Sequence, residues 1–162
     1  MKKMFYQNDF EDLPGVKSGG CLYMSLMDIV REDCKYDFKK DDICEIYNEC
    51  NKRGFLGVWN DRDADGAYCW NHLGILNTAC EIIEHDIRWE YTAKIYTKLM
   101  EEQGHRSFVN DSNYTNDDSI YMIFQVRTTK VSGHFKRFNY DPWKSGSREV
   151  CLKSTRYYKR VV

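Results

Sequence analysis

Long apolar runs are missing from the 162 residues. No segment approaches the roughly eighteen apolar residues of a membrane span. The start, "MKKMFYQNDFEDLPG", sets two lysines before no uninterrupted apolar stretch, so neither a membrane partner nor a secretory leader is expected. A disulfide framework is missing too. Cys21, Cys34, Cys44, Cys50, Cys69, Cys80 and Cys151 are odd in number and follow no repeating spacing, which points to thiols in a reducing cytoplasm. Internal repeats and low-complexity linkers are absent, and the length suits one domain, residues 1–162, around one core. Histidine is scarce, at four residues, which limits the choice of any general base.

Net charge is nearly absent, at −1, but the total hides a polarity. From Lys130 onward there are nine Lys and Arg against Asp141 and Glu149, so the remainder of the chain carries the compensating acid. Aromatic residues interleave the basic ones in "HFKRFNYDPW" and "RYYKRVV". That composition suits nucleic acid, with Lys136, Arg137 and Trp143 as contact candidates. It equally suits a strand-rich region with a basic solvent face.

Helical spacing dominates the first half. Leu22, Leu26, Ile29 and Val30 recur along one face, with Ser18 as the expected N-cap. Residues 39–54 carry acids early, bases late and Gly54 at the end, as a helix aligned with its dipole would. Residues 71–86 read as a third helix, 86–93 as a strand and 93–104 as a short helix closed by Gly104. After a polar loop at 110–119, the segments 120–128, 133–139, 148–154 and 156–162 are rich in aromatic and β-branched residues and are expected to be strands joined by short turns. The order gives an α+β domain with N-terminal helices on a C-terminal antiparallel sheet.

In "VKSGGCLYMSLMDIV" a cysteine stands just after two glycines where an apolar helix begins. It is either buried filler or a nucleophile. The second reading has a physical basis: free N–H groups at a helix N-terminus favour a thiolate and can hold an oxyanion. Gly19 and Gly20 leave room for a substrate backbone. Of the four histidines, only His134 stands at the head of an expected strand, directly after Ser132 and Gly133.

With "GGCLYMSLMDIV" early and "SGHFKRFNYDPW" late, the sequence resembles the papain-like superfamily of cysteine peptidases. It is most similar to the compact peptidase domains of bacteriocin-processing transporters, and also resembles a family found in phages and spirochaete plasmids. The resemblance implies a papain-like fold, with Cys21 as nucleophile, His134 as general base and acid, and Asp141 as the group that orients the imidazole. It implies a peptide or protein substrate, hydrolysis of an amide or isopeptide bond, and no cofactor. A non-catalytic binder on the same fold, of the kind that blocks a host defence, is the alternative. The oxyanion site would comprise the Cys21 N–H and, in place of the family's Gln shortly before the nucleophile, Gln7; position 15 is Gly.

The triad carries a geometric condition. On one continuous strand His134 and Asp141 would face opposite ways, roughly 23 Å apart. A reversal around Arg137 and Phe138 would set them directly opposite each other. Arg-Phe is poor turn chemistry, although Asn139 offers a left-handed position.

A separate motif is "NDRDADGAYCWNH". Asp61, Asp63 and Asp65 followed by Gly66 match the first half of a calcium loop, but its twelfth position is His72 instead of Glu. The other reading is an acidic surface loop. Cys69 and His72 are spaced like half a zinc site with no second pair.

Overall fold

A computed structural model describes residues 4–110 and 117–161. Most of the polar segment expected to loop at 110–119 lies outside these.

Two helices meet at a single residue. Pro14, pre-set for the first helical turn, opens α1 (Pro14–Gly19), and α2 (Cys21–Cys34) follows directly after Gly20. The sequence reading missed α1 and assigned Ser18 as the cap of α2. Instead the Ser18 hydroxyl donates to the Pro14 carbonyl within α1 at 2.8 Å, and Gly20 is the N-cap. A Cβ on Gly20 would lie 2.7 Å from Val16 Cα and its carbonyl oxygen, so only glycine lets the two helices join this tightly. From Leu22 through Val30 every residue of α2 is buried, which makes it the central helix of the core.

Helix α3 (Lys40–Lys52) has Asp41 and Asp42 in its first turn and Lys52 in its last, as the dipole favours. A small hairpin of β1 (Leu56–Gly57) and β2 (Tyr68–Cys69) leads into α4 (His72–Ile82), whose cap residue Asn71 accepts from the Gly74 N–H at 2.8 Å.

The remaining strands are β3 (Trp89–Tyr96), β4 (Phe108–Val109), β5 (Ile120–Thr128), β6 (His134–Lys136) and β7 (Glu149–Arg160), with the short helix α5 (Lys98–Glu102) between β3 and β4. They form one antiparallel sheet in the order β4-β3-β7-β5-β6. The chain is therefore an α+β fold with helices packed on an antiparallel sheet. Two boundaries differ from expectation. Residues 93–96 continue β3 rather than beginning a helix, because they pair with β7. Residues 149–160 are one strand and not two, since no Gly, Pro, Asn or Asp interrupts them. Among the described residues no helix is long and apolar enough to cross a membrane.

Two arginines of the basic tail are paired at the seam between helices and sheet. Arg137, expected on an exposed contact face, is only 9% exposed. Its guanidinium pairs with Asp28 at 2.9 Å and Glu32 at 2.6 Å, both on α2. Arg160 pairs with Asp33 at 3.0 Å, and Lys159 lies 3.4 Å from Asp117. Lys136 is held by Glu149 at 2.5 Å. Arg137 and Arg160 of the basic tail are thus partners of acids on α2, which corrects the reading of Arg137 as a nucleic-acid contact.

Candidate active site

Cys21 is the first residue of α2, so its N–H belongs to the turn that lacks intrahelical acceptors. Its side chain lines a cleft of about 500 Å³ together with Gln7, Gly19, His134 and Trp143. The cleft lies between the start of α2, the β2 hairpin and the sheet.

His134 opens β6, paired with Val126, and its side chain is fully buried. Its Nε2–H donates to Asp141 Oδ1 at 2.7 Å. The same oxygen accepts the Trp143 N–H at 2.9 Å, while Asp141 Oδ2 accepts the Ser147 hydroxyl at 2.7 Å. Burial raises the Asp141 pKa, but the bonds from His134, Ser147 and Trp143 outweigh it and leave the carboxylate below its usual range. The opposite ring nitrogen, Nδ1, is buried with no hydrogen-bond partner among the described residues. Burial pulls the imidazole pKa down, and the Asp141 bond and the Cys21 thiol more than reverse this, raising it from 6.5 to about 9. The ring is thus bonded to a carboxylate on one edge and electrostatically coupled to a thiol that lines the same cleft.

The turn that permits this is one residue away from the expected one. Arg137 N–H donates to Tyr140 O at 2.8 Å, so Phe138 and Asn139 form the tip, and counting back sets His134 level with Trp143 rather than Asp141. The two rings stack, with centroids 3.8 Å apart, and Asp141 reaches the imidazole diagonally. Asn139 supplies no left-handed position: Lys35 and Glu84 are the non-glycine residues with positive φ among those described. Anchoring replaces turn chemistry here, since Arg137 is tied to α2 and the Tyr140 hydroxyl donates to Phe5 O at 2.5 Å.

Gln7 lies in a 3-10 turn (Gln7–Asp9) and is buried, with its N–H donating to Pro142 O at 3.0 Å and its amide donating to Val16 O at 3.2 Å. The N-terminal segment therefore folds back beside the start of α2. Gly19 lines the cleft with open space where a Cβ would be, whereas Gly20 is buried against Val16 and serves helix packing rather than substrate access. Trp143, read as a contact residue for substrate or partner, covers the imidazole and borders the cleft.

The acidic motif has a different explanation. Asp61, Asp63 and Asp65 are exposed, and Asp61 Oδ1 accepts the Asp63 N–H at 3.0 Å in a local turn. A Cβ on Gly66 would lie 2.4 Å from Gly57 O, so the glycine serves the β1–β2 hairpin. No cluster of three His, Cys, Asp or Glu side chains placed to hold a metal ion occurs among the described residues.

Sequence reasoning missed Ser147, which orients Asp141, and Arg156, which lines the cleft. Arg156 was one of several bases in "RYYKRVV"; strand alternation would have separated it, with Ser154 and Tyr158, from its outward neighbours.

The fold and the site together define an α+β domain in which Cys21 and His134 line one cleft and Asp141 bonds the imidazole. No family model matches the chain, and no curated protein or solved structure is similar to it.

Proposed function

We propose that the protein is a thiol hydrolase of papain-like organisation that cleaves an amide or isopeptide bond. The observation that carries this reading is the His134 imidazole, bonded to Asp141 through Nε2 and left with a buried, unpartnered Nδ1 in the cleft that Cys21 lines. In the proposed reaction the Cys21 thiolate, paired with protonated His134, attacks the carbonyl carbon and a C–S bond forms. The oxyanion is held by the Cys21 N–H; the Gln7 amide lines the same cleft but donates to the Val16 and Lys17 carbonyls. His134 then gives its proton to the departing amine as the C–N bond breaks, leaving a thioester. Water, deprotonated by His134, attacks that thioester, releasing the acid and restoring the thiol.

Alkylation by iodoacetamide with peptide mapping of all seven thiols tests the reading. Cys21 is expected to react first, and His134→Ala to remove its lead. Reaction of Cys21 no faster than the other six contradicts hydrolysis.

A non-catalytic, anion-binding role is favoured by one observation. Lys130, Lys144 and Arg148 are exposed around a hollow of about 430 Å³ with no acidic residue in its lining. Under that role, Lys144→Glu with Arg148→Glu abolishes binding to single-stranded nucleic acid while Cys21→Ala leaves it unchanged; under the hydrolase reading, Cys21→Ala removes the activity.

A further inference from the structure

The cleft contains a buried cation with no acid to match it among the described residues. Arg156, on β7, is 7% exposed and lines the cleft with Cys21. Its Nη1 donates to Gln125 Oε1 at 3.2 Å and Ser154 Oγ at 2.8 Å, and the guanidinium lies 4.7 Å from the centre of the Phe135 ring. All three partners are neutral. Its Nε is buried without a hydrogen-bond partner, and so is the neighbouring Tyr91 hydroxyl. Nε belongs to the guanidinium's side-on fork, whose spacing matches a carboxylate.

The surroundings add to the positive field. Lys94 is the cross-strand neighbour of Arg156 and also lines the cleft. His72, hydrogen-bonded to the Tyr158 hydroxyl at 2.8 Å, is driven to about 3 by burial and then by Arg156 and Lys94, so it remains neutral. Cys69 lines the same cleft as Cys21 and Arg156. A buried cation without an acid is unfavourable in the empty protein and becomes favourable when a ligand supplies the charge.

We propose that Arg156, through the edge that carries its unpartnered Nε and with Tyr91 and Lys94 beside it, binds a carboxylate of the substrate, so that the cleft takes an acidic residue next to the bond attacked by Cys21. The position of that bond rests on the thiol-hydrolase reading; the carboxylate site itself does not.

Two measurements separate these claims. First, Cys21→Ala protein is titrated with N-acetyl-glutamate and N-acetyl-glutamine and followed by NMR. The acid is expected to bind at least about tenfold tighter, as charge-assisted bidentate bonds are stronger than neutral ones. Arg156→Met should abolish the preference and Arg156→Lys restore part of it. Second, wild-type Cys21 is alkylated by iodoacetate and by iodoacetamide, each rate normalised to free cysteine. Iodoacetate is expected to be favoured about tenfold, and Arg156→Met to remove that advantage.

Equal affinity for the acid and the amide overturns the proposal, whatever the reactivity of Cys21. Selective binding of the acid with Cys21 inert to both reagents upholds the carboxylate site and contradicts hydrolysis. Arg156→Met should unfold at the same or a higher temperature than wild type; a marked loss would identify the arginine as structural and overturn the proposal. Gln125→Glu provides a second variant, placing an internal carboxylate against the guanidinium, and should abolish acid selectivity with folding intact.

Discussion

Two arginines on the C-terminal sheet are both more than nine-tenths buried and are treated in opposite ways. Arg137 at the helix–sheet seam faces Asp28 and Glu32, and Asp28, itself 2% exposed, also accepts from Arg31 at 2.7 Å. Arg156 at the cleft meets an amide, a hydroxyl and a ring. Burial of charge is tolerated in the first case because geometry and countercharge offset desolvation. In the second case no countercharge meets it among the described residues. The difference separates a residue that holds two layers together from one that waits for something outside the protein.

Removing each arginine is the sharpest way to break this contrast. Arg137→Met should destabilise the fold by about 3 kcal/mol in urea denaturation, since Asp28 and Glu32 lose a buried partner. Arg156→Met should not. Equal losses in the two variants would erase the distinction.

A second pair, His134 and Asp141, sits at the boundary between seam and cleft and is compensated within the chain. Asp141→Asn should slow Cys21 alkylation and any hydrolysis by about a hundredfold through loss of imidazole orientation. The pair also predicts a pH window. Asp141 is held below its ordinary value, so its contribution is present above about pH 4 and lost as pH falls through the lowered value. His134 is raised from 6.5 to about 9, so its contribution is full below 6.5 and lost as pH rises through about 9. The stability advantage of wild type over Asp141→Asn should therefore be largest at about pH 5–6 and smaller by about pH 10, where the share that depends on protonated His134 is lost and the bonds from Ser147 and Trp143 remain. Thermal unfolding of both proteins across that range checks it.

The smallest expected effect is also the most specific. Gln125→Glu supplies Arg156 with an acid and should raise stability by about 1 kcal/mol, making the cleft arginine resemble the seam arginine. Destabilisation by this substitution would mean that the cleft does not carry an unmatched positive charge.

Much of the architecture was legible in periodicity. The burial pattern of α2, the acid-first, base-last arrangement of α3 and the aromatic and β-branched content of β5 each follow from local sequence. What was illegible depended on tertiary anchoring. The Phe138-Asn139 turn has no strong turn signal and forms because Arg137 and Tyr140 are tied elsewhere. The pairing of basic tail with acidic helix is invisible until Asp28 and Arg137, over a hundred positions apart, come within 2.9 Å. Cys21, His134 and Asp141 were nameable from motif order; the structure sets Cys21 and His134 in the lining of one cleft and bonds Asp141 to the imidazole. Ser147 and Arg156 carry no motif, so their places become visible only in three dimensions.

The most direct measurement is an NMR titration of the His134 imidazole in wild type and in Cys21→Ala. If thiol and imidazole act as a pair, His134 titrates near 9 in wild type and falls well toward its ordinary 6.5 once the thiol is removed, because Cys21 is one of the groups that raise it. A value that is ordinary in wild type, or high and indifferent to loss of Cys21, would contradict the pairing and leave the cysteine as filler at the start of α2.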